Sequence, residues 1–284
     1  MLSLHTNNAA LSAQNSINRT QGSLSTSMTR LSTGYRINSS MDDAAGLQIA
    51  TRLKAQTSGM AVAMRNTQNS TSMLQTAEGA LDEVSNMVVR MKDLATQAAD
   101  ASSTAADKTA MQSEYDALGK ELSNVMTNTT FGGAKLLIGG TIASSMTFQI
   151  GSSTSEKMTV NLATDVTALN TAIGATSGTY TVPGTPGTEL TATANATIDL
   201  LSTALASIGT VRSALGASAN RLEHVYNNLS NISTNSKAAT GRIMDVDFAS
   251  ESSKMTTNQM LLQAGTAMLK QSNSMSSMVM SLLQ

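Results

Sequence analysis

Between Leu201 and Ile232 the residues Leu201, Ile208, Leu215, Leu222 and Leu229 recur every seven places, and Ala204, Val211, Ser218, Val225 and Ile232 follow each of them by three. Two interleaved rows at that spacing lie on one face of an α-helix as a coiled-coil stripe, interrupted here only by Ser218. Such a stripe stays in water only if another helix covers it. Leu53, Met60, Thr67, Leu74, Leu81, Val88 and Ala95 repeat with the same period in the front half. The two halves are therefore expected to pack together, with Leu74, Leu81 and Val88 on one side of an intrachain seam and Leu201, Ile208, Leu215, Leu222 and Leu229 on the other.

With 284 residues the chain can bury a sizeable core, yet it has no Trp and only 2% aromatic residues. Long helical seams of Leu, Ile, Val, Met and Ala suit this composition better than a globular enzyme core. Charged residues make up 13% of the chain, against roughly 25% in typical soluble domains. A net charge of -1 and the lack of any basic run give no field for nucleic acid or anionic lipid. The absence of cysteine removes disulfides, thiolate nucleophiles and sulfur-ligated metals. Met1 to Ala10 carries neither a basic head nor an apolar stretch, so export, if it occurs, is expected without a cleaved signal, and no membrane span is expected.

Read in order, Leu11, Ile17, Leu24, Met28 and Leu31, with polar Gln14 and Gln21 in step, keep a three/four rhythm up to Gly34, which predicts an amphipathic first helix. Tyr35 to Ser40 reads as a connector, with Ser40 and Asp43 in the form of a capping box. A second helix is predicted from Asp42 to Ala99, roughly 85 Å long. A polar turn then leads to a third helix marked by Met111, Tyr115, Leu118, Leu122 and Val125. Met146 to Val160 alternates like a hairpin around Gly151 to Ser155. From Asn161 to Asn195 the chain is rich in Thr, Ala and Gly and holds both prolines, Pro183 and Pro186, which reads as a short, exposed, variable segment.

Gly241 to Asp247 forms a second connector, expected opposite the first, and a last helix carries Leu261, Ala264, Met268, Met275, Val279 and Leu282 in an apolar row. The fold class is thus mainly α: a long antiparallel bundle or coiled coil made from both chain ends, with a small β-hairpin region and a short outer loop. The organisation reads as 1–41, 42–160, 161–195, 196–240 and 241–284. The first and last of these are amphipathic ends with no core beyond each other. Leu11, Ile17, Leu24, Met28, Leu31, Leu261, Met268, Met275 and Leu282 are accordingly candidates for self-assembly.

Catalysis has little to stand on. The only histidines, His5 and His224, lie in no metal or nucleophile motif, and no cofactor is expected. Asp245 and Asp247 flank Val246, a pattern better explained by carboxylates near a helix start than by a metal. Asn195, Ala196 and Thr197 form a glycosylation pattern of the kind that arises by chance. Nineteen methionines mostly fit seam positions, but Met260, Met268, Met275, Met278 and Met280 crowd a terminal helix without an evident internal partner.

These residues resemble bacterial flagellin. The likeness runs over Thr6 to Leu53, ending in "LSTGYRINSSMDDAAGLQIATRL", and over Arg212 to Gln284, with "LGASANRLEHVYNNL", "GRIMDVDFASE" and a final "SLLQ". "TAEGALDEV" and "TTFGGAKLL" follow the family pattern between them. In place of the Ala-Asn and Pro-Gln common in relatives, the last helix reads "QSNSMSSMVMSLLQ", and the opening "MLSLHTNN" resembles flagellins of lateral filaments.

The resemblance implies a non-enzymatic, extracellular filament subunit for motility, exported unfolded and polymerised helically, its ends pairing as an inner helical domain. It implies as partners other copies of the chain, the flagellar export apparatus, an export chaperone, and filament cap and junction proteins. A vertebrate Toll-like receptor is implied at the positions of Arg90, Leu94 and Glu114, although Val89 and Asp93 replace the family's usual Gln and Glu. The hook-filament junction protein, similar at both ends, is the alternative within the same class.

Overall fold

A helix of 26 residues, α1 (Asn8–Thr33), opens the fold. The Asn7 side chain accepts from the Ala10 amide at 3.1 Å to cap its start. Gly34, at φ 75°, ends it in the left-handed conformation that glycine adopts without a Cβ penalty. The structure, a computed structural model, describes residues 7–182 and 186–281. His5, Pro183 and Leu282 lie outside the described residues.

The remaining elements are α2 (Ala44–Ala99), α3 (Ala105–Asn128), β1 (Thr130–Phe131), β2 (Ala134–Lys135), β3 (Ser145–Gln149), β4 (Lys157–Asn161), α4 (Ala163–Thr176), α5 (Gly178–Thr181), α6 (Glu189–Ala192), α7 (Ala194–Met244) and α8 (Phe248–Ser281). They form two compact units, one of both chain ends up to Thr57 and from Thr234, the other Ser58–Ser233.

In the Ser58–Ser233 unit, one apolar core runs through α2, α3 and α7. Leu74, Leu81, Val88, Leu201, Ile208, Leu215 and Leu222 all belong to it. Leu229 joins Met60 and Ala63 in a smaller cluster. Ser218 sits in the seam without an orphaned hydroxyl, since its Oγ donates to the Ala214 carbonyl at 2.8 Å. The strict seven-residue spacing fails only at its end, where Ile232 is 36% exposed and Ser233 4%. A straight α-helix drifts about 20° per heptad against a 3.5-residue repeat, so by the fifth heptad the inward position has moved on by one residue.

The expected hairpin forms, with β3 and β4 antiparallel and Met146 opposite Val160, Phe148 opposite Met158. Met146, Met158 and Val160 bury one face of it on the helical core. The loop between the strands reaches α2: a Cβ on Gly59 would meet the Ser152 Cβ at 2.6 Å. A second, smaller hairpin, β1 with β2, turns through Gly132 and Gly133 at φ 59° and 85°.

Two local expectations need correction. Ser40 does not pair with Asp43. Asp43 alone caps α2, its Oδ1 accepting from the Gly46 amide at 2.8 Å, while Asp42 accepts from the amides of Asn38 and Ser39 at 3.1 and 3.0 Å. The capping box is at α3 instead, between Thr104 and Asp107. The described residues of 161–195 are largely helical rather than an open loop. Val166, Leu169 and Ile173 of α4, with Tyr180 and Leu190, enter the core. Their three/four spacing was masked by the Thr, Ala and Gly between them.

That segment is fastened to α3 by polar contacts. Tyr115 donates from its hydroxyl to the Thr176 carbonyl at 2.6 Å, and the Gln112 side chain accepts from the Leu190 amide at 2.7 Å. Asp116 accepts from the Gly187 amide at 3.1 Å. Burial, with the negative charge of Glu189 beside it, pushes the Tyr115 hydroxyl well above its ordinary range, so it stays a neutral donor.

Candidate assembly surface

The unit of chain ends is built from two helices that pack along each other, α1 and α8. Three contacts fix them as antiparallel. The Asn7 side-chain amide donates to the Ser272 carbonyl at 3.2 Å, Ile17 packs on Gly265, and the Ser27 Oγ donates to Glu251 Oε1 at 2.7 Å. Beyond them the two connectors pair: Tyr35 bridges to Asp245, the Arg36 amide donates to the Met244 carbonyl at 2.6 Å, and the Val246 amide to the Gly34 carbonyl at 3.0 Å. Asp247 then caps α8, accepting from the Ala249 amide and the Ser250 hydroxyl at 3.0 and 2.8 Å. Those bonds, the Ser250 hydroxyl foremost, hold its carboxyl below the ordinary range.

The seam between the helices is thin. On α1 the sheltered positions are Ala10, Ala13, Ile17, Thr20, Leu24, Ser27 and Leu31; on α8 they are Glu251, Met255, Asn258, Leu262, Gly265, Leu269 and Ser272. Both sets alternate steps of three and four, as a two-helix seam requires. Of these side chains only Ser27 and Glu251 are fully buried. Glu251 also faces Arg30 at 3.9 Å and Lys254 at 3.6 Å. The Ser27 hydrogen bond, aided by these two cations, holds its carboxyl below the usual range despite burial.

The sequence-derived assembly residues divide between two faces. Ile17, Leu24 and Leu31 are half-buried in the α1/α8 seam, whereas Leu11, Met28, Leu261, Met268 and Met275 are each more than half exposed. The α8 row read from sequence lies one residue before the true seam, about 100° round the helix. It is an uncovered face carrying no charge at 260, 261, 264, 268, 271 or 275. Tyr35, Met41, Ile49 and Phe248 extend the exposed apolar surface of this unit near the connectors.

Arg90 and Glu114, from α2 and α3, meet in an exposed ion pair at 2.6 Å. Leu94 does not share their surface, being only 2% exposed in the helical core. The Asn195 pattern lies in the first turn of α7, with Thr197 buried and its hydroxyl bonded to the Thr193 carbonyl at 3.1 Å. Among the described residues no group of three or more His, Asp or Glu side chains is arranged to hold a metal.

Known proteins carry the same two end regions. Residues 4–141 match the bacterial flagellin N-terminal helical region, and residues 198–283 the bacterial flagellin C-terminal helical region. Flagellin A of Vibrio anguillarum is 33% identical over 380 aligned residues, covering 100% of both chains. A flagellin of Halalkalibacterium halodurans is 38% identical over 271 residues, covering 94% of each. The longer Vibrio alignment includes stretches with no counterpart here, while the Halalkalibacterium relative is close to this chain in length. A putative flagellar hook-associated protein from Vibrio parahaemolyticus superposes with a TM-score of 0.58 at 18% identity, over 72% of this chain and 100% of that one, which is a likeness of fold.

Proposed function

The chain belongs to the bacterial flagellin family, and on that premise we propose that the uncovered apolar face of its paired end helices is the surface through which it polymerises. The protein is a structural, non-enzymatic subunit of the extracellular flagellar filament, and its function is motility. A filament needs contacts that do not close into a ring, made by surface the single subunit leaves unfinished. The observation that supports the end helices for this role is the row Leu261, Met268 and Met275, exposed beside a seam that already holds α8 to α1. Ile17, Leu24 and Leu31 position the pair, and Leu11 and Met28 add exposed apolar surface on α1. The bundle seam of Leu74, Leu81, Val88, Leu201, Ile208, Leu215, Leu222 and Leu229 carries the subunit's own stability.

The export apparatus, an export chaperone, and the cap and junction proteins are the further partners this reading calls for. Contact with a Toll-like receptor would rest on the exposed Arg90 and Glu114 pair, with Leu94 shaping the helix from below. The test is electron microscopy of the full chain, heated to monomers and seeded with a salting-out agent, beside a chain truncated before Gly241. Long filaments from the full chain alone are expected. Persistent monomers or short stubs from both would sink self-polymerisation and favour the junction-protein alternative.

A further inference from the structure

The methionines are sorted by unit. Every methionine of Ser58–Ser233 is buried or half-buried, as with Met60, Met91, Met126 and Met158. The exposed ones among the described side chains are Met28, Met41, Met260, Met268 and Met275, and all belong to the unit of chain ends. Met260, Met268 and Met275 stand on the uncharged face of α8, with Met268 67% exposed. A thioether in water is open to two-electron oxidants, while one packed in a core is shielded.

We propose that Met260, Met268 and Met275 form an oxidation-sensitive site, at which a peroxide or hypohalous acid converts the unassembled subunit to a form that cannot polymerise. With hydrogen peroxide, the sulfur lone pair attacks the peroxide oxygen, the O–O bond breaks, an S–O bond forms and water leaves: the thioether is oxidised by two electrons to the sulfoxide and the peroxide is reduced. The sulfoxide is polar and a strong acceptor, so a second copy of this chain that must bury the row loses its apolar contact. This inference rests on the assembly reading above. A second copy is the occupant because the family builds a homopolymer and because the α8 row is continuous with the helix pair that both chain ends form. Once covered in the filament, the same sulfurs are protected, so vulnerability belongs to the subunit before assembly.

The experiment treats full-length monomers and preformed filaments with hydrogen peroxide, maps sulfoxides by peptide mass spectrometry, removes the oxidant, and seeds polymerisation. Wild type, M260L/M268L/M275L and M41L are each compared with their own untreated control, so any change in baseline cancels. Oxidised wild type is expected to lose polymer yield by about tenfold or more, the triple variant by less than about twofold, and M41L as much as wild type. Methionine sulfoxide reductase should restore the oxidised wild type, and filaments should show little sulfoxide at Met268 and Met275.

Undiminished polymerisation of wild type sulfoxidised at these positions overturns the inference, as does a triple variant as sensitive as wild type or protection by M41L alone. Failure of untreated wild type to polymerise overturns the assembly reading, and this inference with it.

Discussion

Set side by side, the bundle of Ser58–Ser233 and the pair of chain ends use the same heptad device to different degrees. In the bundle, α2, α3 and α7 converge on one core, and Leu81, Val88, Ala204 and Leu222 have no exposed surface. In the end unit two helices share a seam broken by Thr20, Asn258, Gly265 and Ser272, and its apolar side chains are only half-sheltered. Two helices alone cannot enclose a row of side chains. The bundle thus closes its core within the single chain, whereas the end pair by itself is marginal. The difference teaches that a heptad pattern reports where a helix packs and not whether the packing is finished within one molecule.

The largest effect separates the two units directly. Leu81→Ala should cost about 2–5 kcal/mol in denaturant unfolding of the bundle, because it opens a cavity in a fixed core. Leu262→Ala in the end seam should cost about 1 kcal/mol, because its site is half-exposed already. Equal losses would mean that the end pair is as well packed as the bundle.

Glu251 sharpens the contrast. Removing this buried carboxylate leaves the Ser27 hydroxyl and Arg30 without it, so Glu251→Ala should cost the α1/α8 pair about 1–3 kcal/mol, read as faster proteolysis within α1 and α8. Its folded pKa is held below the unfolded one, so its contribution is full above the unfolded carboxyl range, about 4.3, and is lost as pH falls through the folded value. Circular dichroism against pH should show helix loss from the end pair on acidification. The E251Q variant should flatten that profile, and an unchanged profile would exclude Glu251 as the cause.

Two glycines of α2 should respond with opposite signs. At Gly79 nothing lies within 4 Å of an added Cβ, so Gly79→Ala should stabilise by up to about 1 kcal/mol. At Gly59 the Ser152 Cβ stands in the way, so Gly59→Ala should lower the melting temperature or loosen the 151–155 loop, measured by hydrogen exchange. The smallest change is expected at the exposed Arg90–Glu114 pair, where Arg90→Ala should alter stability by less than about 1 kcal/mol.

Much of this was legible from residues alone, for physical reasons. The Leu201 row has a large, regular apolar signal and no competing face, so periodicity finds both the helix and its inward side. On α8 two apolar rows lie one residue apart, Leu262 with Leu269 and Leu261 with Met268, and periodicity cannot say which one α1 covers. The segment 161–195 misled because Thr and Ala serve a helix as readily as a loop, and its order depends on distant partners, Gln112, Tyr115 and Asp116 of α3. Leu94 shows the same limit: the family likeness groups it with Arg90 and Glu114, while the fold buries it and leaves those two outside.

The bond between Ser27 and Glu251 has a consequence for the register of the end pair. Two helices with small residues along their seam can slip by a heptad at little hydrophobic cost, giving an end pair of another length. A slipped pair would take Glu251 away from both Ser27 and Arg30 and leave a carboxylate to be hydrated or neutralised. That polar tooth, together with the Asn7–Ser272 and Ile17–Gly265 contacts, sets the two chain ends in one register, so every copy of the chain carries a paired end of the same length.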